Sequence, residues 1–459
     1  MFTFTDPRLG RRDFLRVGSL ALGGLSLPAF LRAGDALGTR PLQDKSVVFL
    51  FLHGGPSQME TFDPHMSAPA EIRSVTGEIQ TALPGITFGS SFPKLAARAD
   101  KLAIVRSFVP GDAAHDIKTI VGKDTFGANI GSAYAQVAGT NHPQTGLPLN
   151  IALFPRAVDP STGERQSKFG KFESVGPFNA ATAPFMPGAG GSLQSDMKLS
   201  LPMDRLEDRK ALLGQLDLMK EKLDNSQRDS VDGEREKAFR ILSGGIGDAF
   251  DLTREDLKTI ARYDTAPLVR PDQIDKKWNN YNHYCDNAKS LGKLLLLARR
   301  LCERGAGFVT VTTNFVWDMH ADKNNATIEE GMRYMAPPLD YAVSAFLDDL
   351  EARGLSDKIL LVTCGEMGRT PKINKNGGRD HWGNLGPLML AGGGLKMGQV
   401  IGQSARDGGT PTTEPIRIRH LVGTIMNTLF DTGKLRVQRG VPREILQMGE
   451  WSPIPGLLA

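Results

Sequence analysis

Short apolar or β-branched runs recur along the chain at Ser46–Leu52, Leu102–Val105, Leu149–Leu153, Phe308–Thr312, Ile359–Val362 and Pro387–Ala391. Runs of this length without polar alternation predict strands buried on both faces, the signature of a parallel sheet. Between them the period changes. Ala288–Arg304 and the set Leu339, Ala342, Val343, Phe346, Leu347 and Leu350 fall at helical spacing and stop at Gly305 and Gly354. A short helix over Phe92–Ala99 and a closing helix within Ile416–Leu429 complete the alternation. Strand, helix and strand in this order predict right-handed parallel crossovers and an α/β fold. From about 155 to 285 the pattern lapses. A Gly-, Pro- and Ser-rich stretch precedes charged helical segments at Asp204–Asp224, Glu234–Phe250 and Arg254–Tyr263. This reads as an irregular and helical insertion in one domain spanning 41–455.

The first 40 residues differ in kind. Arg11-Arg12-Asp13-Phe14-Leu15 precedes a weakly apolar, Gly-rich segment from Val17 to Leu31, the pattern of a twin-arginine export signal. Periplasmic or secreted placement is therefore expected, with membrane anchoring as the outcome if the signal is not cleaved. No other stretch is apolar and long enough to cross a membrane. The N-terminal 40 residues carry six Arg and three Asp, which leaves 49 basic and 48 acidic residues in the rest of the chain. No basic stripe remains, so nucleic acid is not an expected partner. Three scattered cysteines, Cys285, Cys302 and Cys364, make neither a disulfide framework nor a thiolate metal site.

The candidate chemistry lies where the predicted strands end. Ser46–Leu52 runs into His53-Gly54-Gly55-Pro56-Ser57-Gln58-Met59-Glu60-Thr61. Phe308–Thr312 runs into Trp317-Asp318-Met319-His320. Ile359–Val362 runs into Gly365-Glu366-Met367-Gly368-Arg369, followed by Gly378-Arg379-Asp380-His381-Trp382. Ligands of open α/β sheets collect beyond the carboxyl ends of strands. Asp318 and His320, two residues apart, point to one side of an extended segment. Imidazole and carboxylate groups without sulfur suit zinc, manganese or calcium, one ion or two. His53, Asp318, His320, Glu366, Asp380 and His381 are the expected ligands. Ser57 and Thr61 are candidate hydroxyl nucleophiles. Arg369 is the candidate for an oxyanion contact, and His115 the candidate general acid. Arg379 is expected to pair with a neighbouring carboxylate.

The export signal, HGGPSQMETFDP, WDMH, GEMGRTP and GRDHW together resemble domain-of-unknown-function family 1501, from Arg11 to about Met448. That family is similar to a branch of the alkaline phosphatase and sulfatase superfamily. The resemblance implies an α/β sandwich with a largely parallel central sheet, helices on both faces, and one or two divalent ions at the strand ends. It implies His53 where superfamily members carry an aspartate, Asp318 and His320 as a ligand pair, Glu366 in the place of a later Asp-His pair, and His381 as the final histidine ligand. A Cys-x-Pro-Ser-Arg sulfatase signature is absent from the sequence, so formylglycine chemistry is not expected. The expected activity is metal-dependent hydrolysis of phosphate or sulfate esters, including polysaccharide-derived ones, by attack of a metal-activated hydroxyl or water. The alternative is a non-catalytic, exported metal-containing binding or assembly protein, for which the resemblance implies an exported cytochrome-like partner.

Overall fold

Buried strands that read as continuous apolar runs do assemble into one largely parallel sheet. The computed structural model of the protein describes residues 40–188 and 246–458. Seven strands form the central sheet: β1 Ser46–Phe51, β2 Leu102–Val105, β3 Asn150–Leu153, β4 Phe308–Thr312, β5 Ile359–Cys364, β6 Leu388–Gly392 and β7 Gln399–Ile401, in the order β7-β2-β6-β5-β1-β4-β3. β1 lies between β4 and β5, parallel to both. Only β6 opposes its neighbours, pairing antiparallel with β5 and β2.

The period-2 alternation of a strand divides β1 between two cores. Val48 and Leu50 join a cluster with Leu294, Leu297, Val343 and Phe346, from the helices α2 Tyr281–Glu303 and α3 Ile328–Ala352; the short α1 Pro93–Ala96 packs on the same face. Val47, Phe49 and Phe51 join a second cluster with Leu421, Val422 and Ile425 of helix α4 Ile418–Leu429. Both faces of the sheet are thus covered by helices, as the unalternating runs predict. The fold is a mixed α/β arrangement with a largely parallel central sheet. Among the described residues, no helix is long and apolar enough to cross a membrane.

Two helices are longer than their apolar spacing predicts. α2 begins at Tyr281 rather than Ala288, because Tyr284 is buried and its hydroxyl accepts a hydrogen bond from the Ala326 amide at 3.0 Å. α3 begins at Ile328, capped by the Thr327 side chain, and runs through Pro337 and Pro338. Prolines ordinarily end a sequence-based helix prediction. Here Met332, Met335 and Ala336 bury the preceding turns in the core, and tertiary packing outweighs the lost amide donors. The expected export signal lies almost wholly outside the described residues, as do the expected helix Asp204–Asp224 and all of Glu234–Phe250 except Ile246–Phe250, which is helical.

Candidate functional site

The strand register makes the site. Phe51 pairs with Thr312 on one side and Cys364 on the other, so three parallel strands end at one level. The polar residues just past those ends, His53, Asp318 with His320, and Glu366, are thereby delivered to one edge. β2 ends at the same edge, and the loop beyond it brings His115. A two-strand ribbon pairs His381 with Arg369 and supplies the last imidazole.

Asp318 is the hub and is buried. Its Oδ1 lies 2.7 Å from Arg369 Nη2, 3.1 Å from His381 Nε2 and 3.3 Å from His115 Nε2. Its Oδ2 lies 3.0 Å from both His320 Nε2 and Asn325 Nδ2. Burial alone would raise this carboxyl, but the imidazoles of His115, His320 and His381 and the Arg369 guanidinium hold it far below the usual carboxylate range. Glu366, fully buried, accepts the Gly54 amide at 2.9 Å and meets His115 Nδ1 at 3.1 Å. His115 therefore bridges the two carboxylates. Burial opposes its protonation, yet their proximity raises its pKa. The hydrogen bond to Asp318 does the same for His320.

Gly54 makes this approach possible. Its φ is +115°, and a Cβ there would stand 2.6 Å from the Asp318 amide nitrogen. Only glycine lets the first loop close on the Asp318 loop while donating to Glu366. His53 follows a different logic. It is buried among Phe51, Phe169, Phe172 and Phe315, with the Phe315 ring 5.0 Å away edge to face. Burial lowers its pKa, and its Nε2 has no hydrogen-bond partner among the described residues. A neutral imidazole with an unpartnered, buried ring nitrogen beside two carboxylates is a donor awaiting an electrophile.

One group of ligand atoms among the described residues is compact enough for a cation: those of His115, Asp318 and His381 all lie within 4.8 Å of one another. His115, expected as an acid, thus stands among the ligand candidates, with Glu366 and His320 in contact with members of the group. Asp380 does not join them. It is exposed and accepts a hydrogen bond from Asn374 Nδ2 at 2.9 Å. Arg369, expected at an oxyanion, is fully buried. Each of its three side-chain nitrogens already meets a protein oxygen, on Gly55, Arg379, Gly54 and Asp318; the residue braces the site from behind. Arg379 pairs with the buried Glu60 at 3.0 Å. Ser57 and Thr61 are also buried and serve their own turn: Ser57 Oγ accepts the Glu60 amide, and Thr61 Oγ1 donates to the Ser57 carbonyl at 2.8 Å. Nothing in the sequence singles out Asn325, Phe169 or Phe315. None lies in a motif or at a telling spacing, and only the folded loops bring them here.

The sequence profile of the family DUF1501, described as a protein of unknown function, matches residues 44–442, and the chain belongs to that family. No curated protein matches it. Among solved structures, the phosphonate monoester hydrolase SpPMH from Silicibacter pomeroyi is similar at 10% identity and a TM-score of 0.32, over 84% of this chain and 73% of that one. The PsFucS1 sulfatase from Pseudoalteromonas sp. is similar at 11% identity and a TM-score of 0.33, over 86% of this chain and 72% of that one. Superpositions this loose leave the chemistry to be read from the site itself.

Proposed function

We propose that this DUF1501 protein is an exported, metal-dependent hydrolase of phosphate or sulfate esters. The observation that carries the reading is the convergence of His115, Asp318 and His381, with Glu366 and His320 bonded to the same group and His53 Nε2 unpartnered beside it. The donor set fits a divalent ion: borderline imidazole nitrogens and hard carboxylate oxygens, no thiolate, and a buried nitrogen that none of the described residues satisfies. His115, Asp318 and His381 would hold the ion, with His53, Glu366 and His320 available to complete or double the site. When bound, the ion supplies polarisation of an ester oxygen and acidification of a hydroxyl or water. The protein's own residues do the positioning. Arg369 fixes Asp318 from the buried side, the Gly54 amide fixes Glu366, and the aromatic rings around His53 exclude water. Glu366, 3.1 Å from His115 Nδ1, would orient that ring with its Nε2 toward the ion.

One observation favours a second reading, a metal-containing binding or assembly protein with an exported partner such as a cytochrome-like protein. Neither Ser57 nor Thr61 hydrogen-bonds to any residue of the cluster. Attack by water keeps the hydrolase; the lack of any nucleophile favours the binder. Elemental analysis of the purified chain together with turnover of aryl phosphate and aryl sulfate tests both. Bound metal and turnover, each lost in Asp318→Asn and His381→Ala, are the expected result. Bound metal without turnover across an ester panel supports the binder, and no bound metal overturns both. Export is tested by fractionating cells that carry Arg11→Lys with Arg12→Lys, which should retain the protein in the cytoplasm.

A further inference from the structure

The loop that carries His115 is clasped by one lysine. Residues 110–117 belong to no helix or strand, so neither a ladder nor a helical turn fixes where this imidazole stands. Lys118 supplies the constraint. Among the described residues it is the one buried lysine, and a lysine is almost never buried unless it is paired. Its Nζ lies 2.6 Å from Asp112 Oδ1 and 2.9 Å from Asp116 Oδ1, and donates to the Ala114 carbonyl at 3.0 Å, with the Asp112 carbonyl at 3.4 Å. An ammonium has three protons, and these acceptors lie on both sides of His115 in the chain. Asp112 Oδ1 also accepts the Ala114 amide, and the Ala114 carbonyl accepts the Asp116 amide, each at 2.9 Å. The clasp is anchored at both ends. Ile117 and Ile120 are buried in the second core, and a Cβ on Gly122 would stand 2.6 Å from the Lys118 carbonyl oxygen. At the other end the Gly111 amide donates to the Gly383 carbonyl at 3.0 Å, and a Cβ on Gly383 would stand 2.6 Å from Asp112 Cα. Gly383 lies two residues past His381. The lysine thus ties the His115 loop to the core on one side and to the ribbon on the other. From that loop His115 meets Asp318 at 3.3 Å and Glu366 at 3.1 Å. With its protons taken by the protein, Lys118 has none left for a substrate.

We propose that Lys118 is a positioning residue of the metal centre and acts through His115: its ammonium holds the turn at 112–116 so that the imidazole reaches the ion together with Asp318 and His381. The inference rests on the metal reading above. Groups that orient a metal ligand typically contribute about 10–100-fold in metal affinity. Lys118 acts one step further back, through the backbone, so the low end of about tenfold is expected. Zinc affinity of the full chain, measured by competition with a chromogenic chelator, tests this in a double-mutant cycle of Lys118→Met and His115→Ala. Lys118→Met keeps the apolar stem and removes the charge. It should weaken zinc about tenfold when His115 is present and by less than about twofold once His115 is gone. A lysine that only stabilises the fold would weaken zinc equally in both backgrounds or not at all, whatever its effect on urea unfolding. Asp112→Ala, at an exposed carboxylate, removes one leg of the clasp and should weaken zinc several-fold with the same dependence on His115; it carries the test if Lys118→Met does not fold. Equal weakening in both backgrounds, or an unchanged affinity in whichever of the two variants folds, overturns the inference and leaves the metal reading intact. An unchanged affinity in His115→Ala does the same. Failure of the unsubstituted chain to bind zinc overturns the metal reading and the inference with it.

Discussion

Arg369 Nη2 lies 2.7 Å from Asp318 Oδ1, with both side chains withdrawn from solvent. The arginine is delivered by the strand-end loop after β5, the aspartate by the one after β4, and β1 runs between them. The pair therefore ties together the two loops that flank the first strand. Removing one member of a buried, hydrogen-bonded ion pair leaves the other charge desolvated and alone, which typically costs about 3–5 kcal/mol. Arg369→Ala is expected to destabilise the protein by that order and to lower its metal content, because Asp318 loses the contact that orients it. Denaturant unfolding and elemental analysis check the two parts separately. A stability loss below about 1 kcal/mol would contradict a bracing role.

Gly54 makes a second, sterically simpler prediction. At φ +115° an added Cβ meets the backbone nitrogens of Asp318 at 2.6 Å and Trp317 at 2.8 Å, atoms that belong to a well-packed loop and cannot rotate aside. Gly54→Ala should cost about 2 kcal/mol or more, from the left-handed backbone and the clash together. It should also disturb the amide that supports Glu366. Gly85→Ala is the contrast. Gly85 also has a positive φ, but its Cβ would meet nothing within 4 Å, so only the backbone contribution remains. The two variants' denaturation midpoints should differ clearly.

How much of this can be read from the chain depends on distance in sequence. β1 to β6 are legible because strands buried on both faces read as short apolar or β-branched runs. His53, Asp318, His320, Glu366 and His381 are legible because each lies in a polar motif that follows a strand, on loops that share one edge of the sheet. Asp380 and His381 read alike in the sequence, yet the structure sets His381 beside Asp318 and Asp380 in solvent. Neighbouring residues in the ribbon project to opposite sides, and nothing in Gly378-Arg379-Asp380-His381-Trp382 says which side faces the metal candidates. Arg369 is rightly placed beside the site, but its burial is not readable, since a guanidinium that braces and one that binds substrate look alike in sequence. Asn325 and Phe169 depend on loop paths that no local rule specifies.

That pair of neighbours supports a direct test. His381 Nε2 lies 3.1 Å from Asp318 Oδ1, while Asp380 is exposed and bonded to Asn374. His381→Ala should lower metal affinity by about tenfold or more under dialysis against a weak chelator, in line with loss of a ligand or its close support. Asp380→Ala should bind as the unsubstituted chain does and change stability by no more than about 0.5 kcal/mol. Equal losses in both variants would overturn the assignment of His381, and not Asp380, to the ion.

The last prediction concerns pH and a carboxylate outside the cluster. Asp63 lies in a cleft of about 590 Å³ that Glu78 also lines. Its Oδ2 lies 3.0 Å from His65 Nε2 and accepts the Ser404 hydroxyl, and its Oδ1 lies 3.3 Å from Arg106 Nε. Burial pushes this carboxyl up, but His65, Arg106 and Ser404 together bring it below its ordinary value of 3.8. The folded state therefore binds the Asp63 proton less tightly than the unfolded state does. By linkage, the stabilisation is fully present above the unfolded carboxylate pKa, about 3.9, and is lost as pH falls through the lower, folded value. Asp63→Asn removes the effect, so the stability difference between the unsubstituted chain and this variant should shrink as pH falls below about 4. Urea unfolding across that range reads the difference directly. A gap that widens below about pH 4 would mean that the fold favours the protonated carboxyl, and that the contacts of His65 and Arg106 with Asp63 do not outweigh its burial.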